Sequence, residues 1–413
     1  MRVLMTSVPV AAHFNTMVPL AWAIEAAGHD VHVAVKPQLV DHVTGAGLVA
    51  VPVGSGDGHA ELLGRLGADL VDFYASVDFT GMRGDPPQQV LSANDVLTGT
   101  FYAPANDTRF IRDVADYADH WQPNLIIWEQ FTFAGAVVGA AKGIPHGRLV
   151  WSPDLFHRMR QDVEAALTGQ PPWRRDDALG DWLAAEIGAF GGVFDEDLLF
   201  GQWQIELSPP EIRLPSPREV IPGRYVPYNG PSVVPDWLRE PPDLPRVALT
   251  MGITARGGDY ANPVDVRAVI AELSELDVEV VATVGTGERD GIGPVPDRVR
   301  LVDFVPMRAL LPTCDAVIHH GGAGTWASAL VSGVPQIVVS TLWDNVFRGK
   351  QLADLGAGLY LTPAEAGPAA VRDGLVTVLS DESFRAAARR LEHSVRAQPT
   401  PADVVLRLEE MAK

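Results

Sequence analysis

Residues 316–325 read AVIHHGGAGT, an apolar run that breaks into two histidines and three glycines. The run suits a buried strand, the glycines a tight turn, and the residues after them the start of a helix. Without a Cβ, a glycine lets the backbone turn sharply and come close to a ligand. The first N–H groups of the helix lack intrahelical partners and carry partial positive charge, so such a turn suits a phosphate. His320 puts an imidazole at its mouth and Thr325 a hydroxyl. Strand, turn and helix in this order are one unit of an α/β domain, and the rest of the chain can be read outward from it.

The alternation repeats around this segment. Strands are expected at Arg246–Thr250, Glu279–Thr283, Val299–Val302, Ala316–His319 and Gln336–Val339, with helices between them, which makes a doubly wound parallel sheet. The first half carries the same pattern: strands over 2–8, 30–36, 48–52, 124–128 and 146–151, a loop over 9–16 followed by a helix over 17–27, and a helix over 133–142 stopped by Gly143. The pattern weakens over 55–121, and 155–215 reads as largely helical, with Trp173, Trp182 and Trp203 as core residues. Eleven prolines between Pro209 and Pro245 forbid regular helix or central strand and read as a semi-rigid linker. The fold class is therefore α/β, with two doubly wound Rossmann-like domains facing across a cleft that places ligands at the carboxyl ends of both sheets. The expected boundaries are 1–208, a linker over 209–245, 246–396, and a last helix within 397–413 that crosses back to the first domain.

Bulk properties narrow the function classes. At 413 residues two domains are the natural expectation. A net charge of −20 excludes a broad surface for nucleic acid or anionic lipid, although an anion can still be held locally by backbone dipoles. The single cysteine, Cys314, excludes a disulfide framework and a cysteine metal site and fits a reducing cytoplasm. The apolar start contains Pro9 and runs into a helix pattern rather than a cleavage region. No stretch approaches the roughly 20 apolar residues of a membrane span. A cytoplasmic protein with no nucleic-acid and no membrane partner is expected.

Several constellations carry chemistry. Gly322-x-Gly324-x-x-Ala327, with Asp344 twenty residues beyond Gly324, satisfies a dinucleotide fingerprint, so an NAD-dependent oxidoreductase is the alternative. Against it, the glycines follow several βα units, and His319 and His320 crowd the pyrophosphate position. His13 follows the first strand, and a histidine is a competent base near neutral pH. Glu129 lies just past the 124–128 strand on the same edge, where a carboxylate can fix the imidazole tautomer. Asp344 and Asn345, with Arg348 one turn on, suit a polyhydroxylated ligand, while a helix N-cap by Asp344 serves equally well. Asp195-Glu196-Asp197 lies among helices and reads as a solvated acidic face, so no metal is assigned.

With these residues in place, the chain resembles the antibiotic glycosyltransferases of bacterial secondary metabolism, within GT-B glycosyltransferase family one. HHGGAGT at 319–325 followed by GVPQIVV carries the resemblance. VPLAWAIEAAGHDVHVA, TGAGLVAVPVG, IIWEQFTFAG, YVPYNGPSVVPDWL and FVPMRALLPTCDA extend it towards macrolide deoxyaminosugar transferases of the desosaminyltransferase type. It implies an inverting, metal-independent hexosyltransferase. The donor it implies is a dTDP-deoxysugar, used as co-substrate with no other cofactor, and the acceptor is a hydroxyl of a hydrophobic polyketide or macrolide. His13 matches the general base, and Glu129 stands where many relatives have aspartate. His320, Gly321, Gly322, Ala323, Gly324 and Thr325 match the diphosphate motif, with Thr254 adding a hydroxyl. Phe304 and Val305 match the positions at the base, Phe304 replacing the tryptophan common in plant relatives. Asp344 and Asn345 match an Asp-Gln pair at the donor sugar, with a side chain one methylene shorter. Aminosugar transferases of this kind need a P450-like auxiliary protein, which makes such a partner, along with a homodimer, part of the implication. A non-catalytic accessory protein of the same fold is a further alternative, weakened by the intact His13, Glu129 and HHGGAGT.

Overall fold

The structure, a computed structural model, describes residues 1–56, 58–76, 84, 86–252, 264–289, 291–340 and 342–412. They form two compact units, Met1–Arg224 with Gln398–Lys413, and Tyr225–Ala397.

The first unit is built on seven parallel strands: β1 (Arg2–Ser7), β2 (Asp30–Val35), β3 (Val49–Pro52), β4 (Leu125–Glu129), β5 (His146–Val150), β6 (Trp203–Glu206) and β7 (Glu219–Pro222), in the order β3-β2-β1-β4-β5-β6-β7. The central strands read as continuous apolar runs because helices cover both faces, and Val3, Leu4, Met5, Leu125, Ile126, Ile127 and Trp128 are fully buried. Register sets Val3 beside Leu125 and Thr6 beside Trp128, which aligns the carboxyl ends of β1 and β4.

Besides β6, which falls inside the 155–215 stretch read as largely helical, three features of this unit differ from the sequence reading. The helix after β1 spans Ala11–Ala26, so 11–16 is helical rather than loop. Pro19 deprives Asn15 of its backbone donor and argues for a later start, but burial of Phe14, Met17, Val18, Leu20, Ala21 and Ile24 outweighs that one bond. Second, 209–245 is not linker throughout, since it supplies β7. That strand lies at the edge of the sheet, where Pro222 needs no donor on its outer side. Third, Trp173 is 81% exposed. Pro171 and Pro172 end the preceding helix and start a single 3-10 turn, so helical periodicity no longer assigns Trp173 a face. Trp203, in β6, is buried.

The helix Pro401–Met411 opens on a capping box between Thr400 and Asp403 and buries Val404, Val405 and Leu408. It packs against Ala11–Ala26. His29 Nε2 to Glu409 Oε1 (2.8 Å) and Arg407 Nη2 to Glu219 Oε1 (3.0 Å) hold it there, and the Arg224 N–H donates to the Pro399 carbonyl.

The second unit contains β8 (Arg246–Thr250), β9 (Glu279–Thr283), β10 (Val299–Val302), β11 (Ala316–His319), β12 (Gln336–Val339) and β13 (Gly358–Leu361), all parallel, in the order β10-β9-β8-β11-β12-β13. Side chains alternate between the two faces. Val247, Leu249, Val280, Ala282 and Ile318 fill one core, and Ala248, Val281 and Val317 fill the other with Val305, Leu310 and Ala329.

Candidate active site

In an open parallel sheet, ligands gather at the carboxyl ends of the two strands where the connections diverge to opposite sides. The strand orders put that point between β1 and β4 in the first unit, and between β8 and β11 in the second.

At the first of these points, His13 stands in the opening turn of the Ala11–Ala26 helix, and Glu129 is the last residue of β4 rather than the first beyond it. His13 Nδ1 lies 3.0 Å from Glu129 Oε1, off the line of an aligned hydrogen bond. Glu129 is fully buried and every contact on its carboxylate comes from a donor. The Trp151 indole N–H reaches Oε1 at 3.0 Å, and the Phe131 N–H and Thr132 hydroxyl each reach Oε2 at 3.2 Å. Thr132 Oγ1 also accepts the Val8 N–H at 2.8 Å, which ties the end of β1 to the end of β4. With Glu129 beside Nδ1, the tautomer protonated at Nδ1 leaves Nε2 free to accept a proton. The ring is only 16% exposed, between Phe131 (centroids 5.9 Å apart) and Trp151 (4.9 Å). Trp151 and Thr132 carry no motif of their own, and sequence reading passed over them. Their one signal is position, Trp151 directly after β5 and Thr132 in the loop that follows β4.

The second point is the AVIHHGGAGT segment. After β11 the chain turns through Gly321 at φ +90°, a conformation that side chains disfavour, and the helix Ala323–Ser332 follows. The underside of the turn is satisfied. His319 Nδ1 accepts the Gly321 N–H at 3.0 Å, its Nε2–H donates to Gln336 Oε1 at 2.9 Å, and the Gly321 carbonyl accepts from Arg348 Nε at 2.9 Å. Trp326 N makes the first helical bond, to Gly322 O, so the N–H groups of Ala323, Gly324 and Thr325 have no intrahelical acceptor. Gly324 is exposed and Thr325 half-buried.

The surroundings of His320 decide its charge. Burial lowers its pKa to about 4, and nearby Arg348 pushes the same way against Asp344 and the Thr250 backbone. At neutral pH it is a neutral imidazole that can donate one hydrogen bond, not a cation. Its ring occupies the space where a Cβ on Gly252 (φ +80°) would lie 2.3 Å from Cε1 and one on Gly322 would lie 2.5 Å from Nε2.

Asp344 and Asn345 sit in the first turn of the helix Trp343–Asp354, whose N-cap is Leu342, so the capping role open to Asp344 is not used. Arg348 reaches back to both, from Nη1 to Asp344 Oδ2 and from Nη2 to Asn345 Oδ1, each at 2.6 Å. Phe304 stands apart, beyond β10 at the edge of the sheet, with its ring 46% exposed. Val305 turns its side chain into the core. Thr254 lies outside the described residues. Among the described residues no group of His, Cys, Asp and Glu has the arrangement of a metal site, and no helix is long and apolar enough to cross a membrane.

Two doubly wound sheets, one carrying a His–Glu pair and the other a glycine turn with an open helix N-terminus, define a GT-B glycosyltransferase. Residues 22–252 match the family described as Erythromycin biosynthesis protein CIII-like, N-terminal domain, and residues 267–411 match its C-terminal domain. The chain belongs to this erythromycin biosynthesis protein CIII-like family. It is 46% identical over 426 residues to aklavinone 7-beta-L-rhodosaminyltransferase of Streptomyces galilaeus, covering 100% of this chain and 96% of that protein. It is 43% identical over 417 residues to 10-deoxymethynolide desosaminyltransferase of Streptomyces venezuelae, covering 100% and 97%. Among solved structures, the glycosyltransferase VinC in complex with dTDP superposes with a TM-score of 0.88 at 36% identity, covering 100% of this chain and 99% of that one. The oxidoreductase and accessory-protein alternatives find no support among these relatives.

Proposed function

We propose that this glycosyltransferase moves a deoxysugar from a dTDP-sugar to a hydroxyl of a hydrophobic polyketide- or macrolide-type aglycone, with inversion and without a metal, in antibiotic biosynthesis. The observation that carries the reading is the His13–Glu129 pair at 3.0 Å on the switch point of the first sheet. The donor and acceptor classes are supported by relatives named as rhodosaminyl- and desosaminyltransferases and by the dTDP bound to VinC.

His13 Nε2 takes the proton of the acceptor hydroxyl as its oxygen bonds to the anomeric carbon. The bond from that carbon to the diphosphate oxygen breaks, and the electron pair leaves with dTDP. The charge gathering on the diphosphate is met by the N–H groups of Ala323, Gly324 and Thr325, by the Thr325 hydroxyl and by a neutral His320 N–H, all fixed before the reaction begins. Thr254 adds a hydroxyl, Phe304 and the Val305 backbone hold the base, and the helix turn that carries Asp344 and Asn345 serves the sugar side of the donor. A cytoplasmic location, a P450-like auxiliary protein and a homodimer belong to the same proposal.

His13→Ala tests the reading. General-base action is worth roughly 10²–10⁴ in rate, so turnover should drop by that order while dTDP affinity stays within about twofold. Unchanged turnover would overturn the assignment.

A further inference from the structure

We propose that Arg348 is a positioning residue that divides the Asp344–Asn345 pair, presenting Asp344 as the carboxylate that meets the donor sugar and committing Asn345 to the support of the diphosphate turn. The inference rests on the donor reading above and specifies it further.

Arg348 is buried, and its guanidinium serves three acceptors at once: the Gly321 carbonyl from Nε, Asp344 Oδ2 from Nη1 and Asn345 Oδ1 from Nη2. The flat fork of an arginine can meet three separate acceptors, whereas a lysine ammonium is a single point charge. Its Cζ also lies 5.9 Å from the centroid of the Trp326 ring. A buried ion pair gives little net stability over a well-packed apolar side chain, so stability alone does not explain a charge at this position.

The two acidic-turn residues are left in different states. Asn345 is buried, with Oδ1 taken by Arg348 and Nδ2 turned to Ser340 Oγ at 3.4 Å. It lies directly beneath the turn, its Cβ 2.9 Å from where a Cβ on Gly321 would stand. Little of the amide remains for a sugar. Asp344 keeps 32% of its side chain exposed, and its Oδ1 has no partner among the described residues.

Calorimetry with two probes, dTDP and dTDP-glucose, separates the roles. Asn345→Ala should weaken both by the same factor, because it acts through the turn. Asp344→Asn should weaken dTDP-glucose by about tenfold and leave dTDP within about threefold. Arg348→Lys should likewise cost dTDP-glucose several-fold more than dTDP. A purely structural Arg348 would lower the two affinities equally, and that result overturns the proposal. So does an Asn345→Ala variant that loses dTDP-glucose affinity alone. If Arg348→Lys fails to fold, the other two variants still decide. Wild-type protein that binds neither probe would bring down the donor reading, whereas wild-type binding with the wrong variant pattern brings down only the division of the pair.

Discussion

The two switch points hold the same side chain in opposite conditions. His13 is partly exposed and has a buried carboxylate against Nδ1. His320 is buried among glycines, with an arginine near and its Nδ1 unpartnered among the described residues. One environment sets a buried carboxylate beside the ring, which suits the base role proposed for it. The other penalises charge, which suits the neutral-donor role proposed for this ring. Identity alone, histidine after a strand, does not distinguish a base from a phosphate ligand. The neighbours of each ring do.

Changing Glu129 strikes this comparison hardest. His13 and the Trp151 indole N–H meet Glu129 at Oε1, and the Phe131 N–H and Thr132 hydroxyl meet it at Oε2, so the amide N–H of Glu129→Gln must face one pair or the other. In either orientation the negative charge that stabilises a protonated imidazole is gone, and turnover should fall on the order of 10²–10⁴. dTDP affinity should be unmoved, since no donor-side residue changes. Steady-state rates beside calorimetry check both halves, and a rate loss below threefold would leave His13 working without an orienter.

Gly252→Ala is the counterpart on the donor side. It puts a Cβ into the His320 ring at a backbone φ of +80°, costing about 1–2 kcal/mol for the left-handed conformation plus about 1–3 kcal/mol of overpacking. A lower Tm and a loss of dTDP affinity of about tenfold are expected. Unaltered values would mean that the ring position has no bearing on the diphosphate.

The same contrast explains what could be read from sequence. Strands β8 to β12 are legible to the residue because Val-, Ile- and Leu-rich runs are bounded by proline and glycine turns, as at Pro245-Arg246 and Gly333-Val334-Pro335. β6 falls in a stretch that reads as largely helical, because its sequence, WQIE, shows no apolar run. Gln204 and Glu206 are buried within a polar network, in which Arg148 pairs with Asp154 and donates to Gln204, and Arg213 lies 3.5 Å from Glu206. Burial drives the Glu206 pKa up to about 8 even with Arg213 and Arg148 opposing it, so a formally acidic residue sits in the sheet mostly uncharged at neutral pH. His13, Glu129 and the glycine turn stand at strand ends, which sequence locates well. The roles of Trp151, Thr132 and Arg348 come from contacts across strands and turns, and no spacing along the chain encodes those.

The smallest expected effect tests the charge state of His320 directly. A neutral hydrogen bond contributes about 0.5–1.5 kcal/mol, so His320→Ala should weaken dTDP-glucose roughly 2- to 10-fold, well short of the loss a buried cation would give. The pH dependence supplies the sign. His320 in the free protein has its pKa lowered to about 4, and a bound diphosphate stabilises the protonated ring, raising that value in the complex. Between the two values binding takes up a proton, so affinity should rise as pH falls from 7 towards 5 and level off above the window. dTDP-glucose is the suitable probe because its diphosphate, unlike the terminal phosphate of dTDP, has no group titrating there. Calorimetry in buffers of different ionisation enthalpy reads the uptake, which should vanish in His320→Ala. A wild-type affinity that is flat over this range would mean that the ring does not face the diphosphate.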